Sequence, residues 1–424
     1  MDRTYTVCFS GTSCTRDEGE ESRSDSDKRI YSKETGYIPV RIHMEISGDR
    51  LEATNPSVIV RGVGANDWGN VDISDALTLN APLNIPPGLK KVTEKYSRGD
   101  RRSDIGVKMD TAIGRTSAAA LALHGANLAA ASDATAYNFI GHSRGAVECM
   151  MAAWFLYAYG GAKKDVPVRI FAIDPVPGPG TWYSIMTKLA PNVTNYVGIT
   201  AWDHIGESLD GLFDPGLVPK PNAKMARIST AEPDVRKLNK LGWTDLADSY
   251  LSGRANPLEP AKIAGTPQPD GYRLFACRGR HATVAGNTTR DGKYDPTNAD
   301  TSVARVPHLV YKMARAYLTD WGTVFSQASA VDLGALELRQ RINLDHGAFD
   351  KMGGGSRRDK VVLGDLRTAI SGRDGAVRHV SSAYGRNPTN KKYLEDVAGD
   401  PSYRQPYPVT AQRTGAGWVH WTYL

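Results

Sequence analysis

Residues 137–146 read YNFIGHSRGA, and the prediction of the architecture starts from them. The first four residues form a short apolar run of the length typical of a buried strand. GHSRG at 141–145 fits the pattern G-x-S-x-G, and the apolar residues 146–159, free of proline and glycine, predict a helix. In this strand–turn–helix context the pattern places a serine hydroxyl, here that of Ser143, above the edge of a sheet. The alternative interpretation is a glycine-bracketed turn whose serine has no chemical role.

The other apolar runs predict an α/β protein with a mostly parallel sheet flanked by helices. Strands are expected at residues 4–9, 58–63, 137–140, 166–173, 196–201 and 272–277. Helices are expected at residues 109–132, 146–159, 234–251 and 306–325. We predict a catalytic domain over residues 1–326, with a cap insertion at about 206–270 where proline, glycine and charged residues are frequent, and a C-terminal extension over residues 327–424.

The composition is that of an ordinary globular protein and excludes several functional classes. Of 424 residues, 41% are hydrophobic and 23% are charged, and the net charge is +6. This mild excess favours contact with an anionic surface such as phospholipid headgroups. The chain has no basic run with interleaved aromatic residues, so we expect no nucleic-acid binding. Cys8, Cys14, Cys149 and Cys277 lack the spacing of a zinc site, so we expect no metal and a reducing compartment.

The first residues, MDRTYTVCFSGT, contain no apolar segment of the secretory type. The longest apolar stretch, around the helix predicted after Ser143, is shorter than a membrane span. We therefore expect synthesis in the cytoplasm without a signal peptide.

Ser143 needs a base that removes its proton and an acid that orients this base. In hydrolases with a strand–serine–helix turn the three arrive in the order serine, acid, histidine, each after a strand. His204 and His281 both follow predicted strands, and His281 follows the last of them, in the loop RGRHATVAGN. We therefore predict His281 as the base, with a surface loop histidine as the alternative. His142 neighbours the serine and is expected to point elsewhere.

Two aspartates compete for the orienting role. Asp174 ends the strand that follows the helix after Ser143, and Asp203 ends the next strand. Prolines on both sides of Val176 make the loop after Asp174 rigid, which favours Asp174. Asp203 is the alternative acid, and the aspartate that does not orient the base is expected to form hydrogen bonds beside it.

Two backbone N–H groups are predicted to stabilise an oxyanion. The small-residue loop at 10–12 can supply one at Gly11, although a plain strand-ending turn fits the same residues. Arg144 follows the serine, and its N–H is the expected second donor. The chemistry is serine acyl transfer, which needs no metal and no organic cofactor.

Several motifs occur in a set order: SGTSC at 10–14, GVGAND at 62–67, GHSRGA at 141–146, AIDPVPGPG at 172–180 and FACRGRHATVAGN at 275–287. This order resembles the α/β-hydrolase domain of bacterial type VI secretion phospholipase effectors, and the most specific piece is SRGA at 143–146. The resemblance spans about residues 4–325. Ser10 and His142 stand where that family has aspartate and phenylalanine, and residues 284–286 differ from its D-V-G-G run.

The resemblance implies an α/β-hydrolase fold in which Ser143 is the nucleophile, Asp174 the acid and His281 the base. It also implies a lipase or phospholipase of membrane glycerophospholipids, secreted as an antibacterial effector that acts at the target-cell membrane. A secretion-system carrier and an immunity protein are the implied partners. The residues themselves leave two other functions open: hydrolysis of small soluble esters or thioesters, and a hydrolase-fold binding protein without catalysis.

Overall fold

The computed structural model describes the residues that form the core of the protein. They are residues 3–12, 37–47, 56–63, 82–85, 87, 116–177, 184–201, 203, 216–225, 271–287, 301–329, 331–345, 348–349, 361–363, 368–370, 377–379 and 421–423. The predicted helix at 234–251, most of the predicted cap, Cys14 and His204 lie outside these residues.

A seven-stranded sheet forms the centre of the described structure. From one edge to the other the strands are β2 (Ser57–Val60), β1 (Thr4–Phe9), β3 (Ala136–His142), β4 (Val168–Ile173), β5 (Val193–Ala201), β7 (Tyr272–Cys277) and β11 (Trp421–Tyr423). Every neighbouring pair in this order is parallel. The predicted α/β class with a parallel sheet is confirmed, and all the strands except β11 fall on predicted apolar runs.

Helices cover both faces of this sheet. One face packs against α2 (Thr116–Ala131), α3 (Arg144–Tyr159) and the one-turn α4 (Ser184–Thr187). The other packs against α1 (Ile38–Ser47), α5 (Thr301–Asp320) and α6 (Ala335–Leu344). Successive strand residues enter opposite cores, as Phe139 and Ile140 do. Because both faces are covered, the strands consist mainly of apolar residues, with a few polar ones such as Asn138 and Arg169. No helix among the described residues has the length and apolar character needed to cross a bilayer.

The sequence-based prediction lacks helix α1. Its sequence, IPVRIHMEIS, is rich in β-branched residues, which favour strands. Ile38, Ile42 and Ile46 nevertheless recur at helical spacing and are buried in the core beneath the sheet. Glu45 also joins α1 to α5, because its carboxylate accepts hydrogen bonds from the Tyr311 hydroxyl at 2.6 and 2.7 Å. Tertiary contacts therefore outweigh the local preference.

The residues after 326 contribute to two sheets. β8 (Val361–Leu363), β9 (Thr368–Ile370) and β10 (Val377–His379) form a small sheet with β6 (Gly216–Val218), in the order β10-β9-β8-β6. β6 and β8 are parallel, and the other two pairs are antiparallel. β11 instead joins the main sheet beside β7. Strand pairing thus connects the predicted extension to the core, and the domain boundary near residue 326 stays a prediction.

The carboxyl ends of the parallel strands define one edge of the main sheet. Ser10, Ser143, Asp174, Asp203 and His281 each follow the end of one of its strands by a few residues at most. In open parallel sheets of this class, ligands bind outside the carboxyl ends of the strands. All the predicted catalytic residues therefore lie at the edge where a site is expected.

Candidate active site

Ser143 occupies the turn between β3 and α3 in a backbone conformation that few residues other than glycine adopt. Its φ is 58° and its ψ is −124°, a strained conformation that costs about 1–3 kcal/mol. The Ser143 N–H donates a hydrogen bond to the Ile173 carbonyl oxygen at 3.0 Å, and its own carbonyl oxygen accepts one from the Val176 N–H at 3.3 Å. These bonds fix the turn to the loop after β4. This is the conformation expected of a nucleophile elbow.

The two glycines of the motif allow backbones to pass closely on both sides of Ser143. A Cβ on Gly141 would lie 2.4 Å from the Gly145 carbonyl oxygen. A Cβ on Gly145 would lie 2.4 Å from the carbonyl oxygens of both Phe9 and Ser10. These neighbours are backbone atoms of packed elements and cannot yield as a flexible side chain does. The second contact also brings the end of β1 beside the serine.

Gly145→Ala should destabilise the protein by about 1–3 kcal/mol, because its Cβ would overpack the contact with β1. Thermal unfolding measures this loss. Gly334→Ala is the control, because a Cβ at Gly334 meets no atom within 4 Å. An unfolding midpoint for Gly145→Ala as high as that for Gly334→Ala would contradict the close approach of α3 and β1.

Asp174 and His281 meet at the carboxyl edge of the sheet. His281 Nδ1 lies 2.6 Å from Asp174 Oδ2, a short distance typical of a hydrogen bond to a charged group. Asp174 Oδ1 accepts a second hydrogen bond, from the Ala201 N–H at 3.0 Å. The Asp174 side chain is 1% exposed, whereas that of His281 is 34% exposed. With Nδ1 donating to the buried carboxylate, Nε2 is the imidazole atom that can accept a proton.

Asp203, the alternative acid, is bound to other groups. Its carboxylate accepts hydrogen bonds from Arg278 Nε at 2.9 Å, from Arg278 Nη2 at 3.0 Å and from the Gly279 N–H at 2.7 Å. Arg278 and Gly279 begin the loop that carries His281. Of the two acids that the sequence left open, the structure pairs Asp174 with His281, and Asp203 anchors the histidine loop.

His281 also approaches the serine turn from the side of His142. The ring centroids of His142 and His281 are 4.6 Å apart, and His142 directly precedes Ser143. The hydrogen bonds of the described residues do not include one between Ser143 Oγ and His281 Nε2. In enzymes without bound substrate, the hydrogen bond between nucleophile and base is often long, and it shortens when the substrate binds.

The two predicted oxyanion donors lie on segments that flank Ser143. Arg144 is the first residue of α3, so its N–H lies at the positive end of the helix dipole. Gly11 is buried just after β1, and the contact of Gly145 with Phe9 and Ser10 brings that loop to the turn. The oxyanion role of Gly11 and Arg144 stays a prediction.

His142 lies in the candidate site, so the expectation that it points elsewhere is wrong. Its ring contacts those of Tyr37 and His281 and is 4% exposed. Burial and the neighbouring His281 hold the pKa of His142 well below its ordinary value, while Asp174 and the His281 backbone act in the opposite direction. The only sign in the sequence that His142 lies in the site is its position next to the serine. Its contact with Tyr37 could not be predicted, because Tyr37 belongs to no motif.

Glu148 is a buried carboxyl group one helical turn after Arg144. It has no exposed surface, and neither of its oxygens has a hydrogen-bond partner in the described structure. Burial raises the pKa of Glu148 well above its ordinary value of 4.5, an effect that Arg144 opposes. No motif in the sequence marks this residue.

Glu148→Gln should stabilise the protein increasingly as the pH rises. Because burial raises the pKa of Glu148 above 4.5 in the folded protein, the unfolded chain loses this proton at a lower pH than the folded protein does. Glu148 therefore makes the stability of the wild type fall as the pH rises, and the variant lacks this contribution. Denaturant unfolding at pH 4 and pH 8 measures the difference. Glu337→Gln is the control, because Glu337 is paired with Arg341. A stability difference that stays the same at both pH values would contradict a raised pKa of Glu148.

The described residues contain no group of three or more His, Cys, Asp and Glu side chains that could hold a metal ion. Cys8, Cys149 and Cys277 are buried and are not joined by disulfides.

Comparisons with known proteins do not assign this chain to a family. No protein-family model matches it, and no curated protein matches it. A similar solved structure is the crystal structure of an uncharacterized protein from Pseudomonas aeruginosa, with 11% sequence identity and a TM-score of 0.37. The match covers 83% of this chain and 50% of the other, so this chain spans about half the length of that protein.

Proposed function

We propose that the protein is a serine-dependent carboxylic-ester hydrolase with an α/β-hydrolase fold, in which Ser143 is the nucleophile, His281 the base and Asp174 the acid. The observation that carries this proposal is the 2.6 Å contact between His281 Nδ1 and the buried Asp174 carboxylate. It lies at the same sheet edge as the strained Ser143. A histidine oriented by a buried aspartate beside such a serine is the arrangement that activates a hydroxyl group for attack.

The strand order supports the assignment of the fold. The serine follows β3, an interior strand with β1 and β2 on one side and the remaining strands of the sheet on the other. The acid follows β4, the next strand, and the histidine follows β7. The chain order is therefore serine, acid, histidine, as in α/β hydrolases.

The reaction begins when Ser143 Oγ attacks the acyl carbon and His281 Nε2 accepts the hydroxyl proton. His281 then donates this proton to the leaving alcohol as the ester C–O bond breaks, which leaves the acyl group on Ser143. Water attacks this acyl group, with His281 again accepting a proton, and the free acid departs as the proton returns to Ser143. Asp174 stabilises the imidazolium, and the N–H groups of Gly11 and Arg144 donate hydrogen bonds to the oxyanion, each worth about 2.7–4 kcal/mol.

The proposed substrates are membrane glycerophospholipids, as for the effectors that the motifs resemble. A net charge of +6 supports contact with an anionic lipid surface. The proposed biological role is that of an antibacterial effector, made in the bacterial cytoplasm and delivered to the target-cell membrane. A secretion-system carrier and an immunity protein are its proposed partners.

Hydrolysis of two substrate types tests this function. We expect the purified protein to release fatty acid and lysolipid from vesicles of phosphatidylethanolamine and phosphatidylglycerol, and Ser143→Ala to release neither. If the protein hydrolyses only soluble short-chain esters, the proposed substrate class changes from membrane lipids to small esters or thioesters. Inertness toward every ester would instead favour a binding protein.

A further inference from the structure

A second imidazole contacts the proposed base. The ring centroids of His142 and His281 are 4.6 Å apart, and the ring planes are inclined by 36°. The His142 ring is also stacked on Tyr37, with the centroids 5.7 Å apart and the planes 20° from parallel. Tyr37 directly precedes α1 and is itself buried. The packed core thus extends through the rings of Tyr37 and His142 to His281.

Well-formed hydrogen bonds do not explain a histidine at position 142. The residue is 4% exposed, and neither ring nitrogen meets the geometry of a hydrogen bond in the part of the chain that the structure describes, although the His281 backbone lies close enough to oppose the lowering of the pKa of His142. Burying an imidazole nitrogen without a partner costs free energy. The contacts of His142 are instead those of a flat aromatic ring.

Asp203 anchors the loop that carries His281, but the imidazole ring itself needs further support. Asp174 holds the imidazole at a single atom, Nδ1, and about one third of the side chain is exposed. The loop also contains Gly279 and Gly286, both with positive φ. One hydrogen bond leaves the ring free to tilt about its contact with Asp174, whereas a second ring packed against it restricts that tilt.

We propose that His142 is a positioning residue for His281: its ring supports the imidazole in the orientation that joins Nδ1 to Asp174 and directs Nε2 toward Ser143. This inference rests on the proposed function, since it concerns the base of the proposed triad. A neutral neighbour suits this role, because a second positive charge at 4.6 Å would oppose the imidazolium that forms during the reaction.

Two substitutions distinguish the role of the aromatic ring of His142 from the role of its nitrogens. His142→Ala removes the supporting ring, and kcat should fall about 10- to 100-fold with little change in KM, since a displacement of about 1 Å in a reacting group can cost about 10²-fold. His142→Phe keeps an aromatic ring and should retain most of the wild-type kcat. If a folded His142→Phe protein is as impaired as His142→Ala, the nitrogens are required and the proposal is wrong.

A double-substitution cycle separates positioning from general damage to the fold. In the His281→Ala background, His142→Ala should reduce the residual rate no further, because the residue that it positions is absent. An equal loss in both backgrounds would show that His142 supports only the fold. If His142→Ala does not fold, His142→Leu takes its place in the cycle, since it fills the space without a planar ring.

A spectroscopic readout tests the inference without a substrate. In protein labelled with ¹⁵N-histidine, the proton between His281 Nδ1 and Asp174 should give a downfield resonance, assigned by its loss in His281→Ala. We expect this resonance to persist in His142→Phe and to weaken or move upfield in His142→Ala. If the resonance responds in this way but the wild type hydrolyses no ester, the proposed function fails and the positioning role stands. If the protein is an active hydrolase and neither kcat nor the resonance responds to His142→Ala, the positioning role alone fails.

Discussion

Replacement of Ser143 by alanine is expected to lower kcat for ester hydrolysis on the order of 10⁶-fold, the size of loss that follows removal of a triad nucleophile. The Ser143 hydroxyl forms the bond to the acyl carbon in the proposed reaction, and no other group of the site replaces it. The protein should remain folded, because this side chain contributes no hydrogen bond within the described structure. Initial rates with a chromogenic ester, together with the thermal unfolding midpoint, measure both outcomes.

Two further variants make this experiment specific. Ser143→Gly should be equally inactive yet more stable than Ser143→Ala by about 1–3 kcal/mol, because glycine adopts a φ of 58° without strain. Ser10→Ala is the matched control, since Ser10 is also buried at the carboxyl edge but the mechanism uses only the backbone of its loop. Hydrolysis at the wild-type rate by Ser143→Ala would show that another residue is the nucleophile.

The second large effect should distinguish the two aspartates, with Asp174 controlling rate and Asp203 controlling stability. Asp174→Asn should lower kcat about 10⁴-fold, because an amide neither stabilises the imidazolium nor fixes the required tautomer. Asp203→Asn removes the carboxylate charge that pairs with the buried Arg278 and should lower the free energy of unfolding by about 3–5 kcal/mol. Its kcat at a temperature where it is folded should fall far less.

For each variant, kcat is measured at a temperature where the protein is folded, and the free energy of unfolding is measured by denaturant titration of the same preparation. The contact between His281 and Asp174 and the contact between Arg278 and Asp203 then predict opposite patterns for the two variants. A severe loss of kcat in Asp203→Asn, with Asp174→Asn close to the wild type, would reverse the assignment of the acid.

The central sheet could be predicted from the sequence because strands buried on both faces consist mainly of apolar residues. The residues 166–173 and 272–277 show this pattern, and β4 and β7 fall on them. The helix α1 could not be predicted in this way, because β-branched residues such as Ile42 disfavour a helix locally and become helical through burial. Strands β8 to β11 have three residues each, which is too short for any periodicity to be visible.

The candidate site was only partly predictable, because the sequence places residues after strands but does not show which side chains then meet. Ser143 and His281 follow from the motif and the chain order. The choice between Asp174 and Asp203 required the contact of His281 with Asp174 and that of Arg278 with Asp203. His142 was misjudged because alternation along a strand shows which face a residue occupies but not which loop folds over it.

The proposed triad can be tested by exposing the protein to a fluorophosphonate and locating the adduct by mass spectrometry. We predict a single modified residue, Ser143, and much slower modification in His281→Ala and Asp174→Asn, because both variants remove the activation of its hydroxyl. An unmodified Ser143, or modification at an unchanged rate in His281→Ala, would contradict the proposal that these three residues form one reactive site.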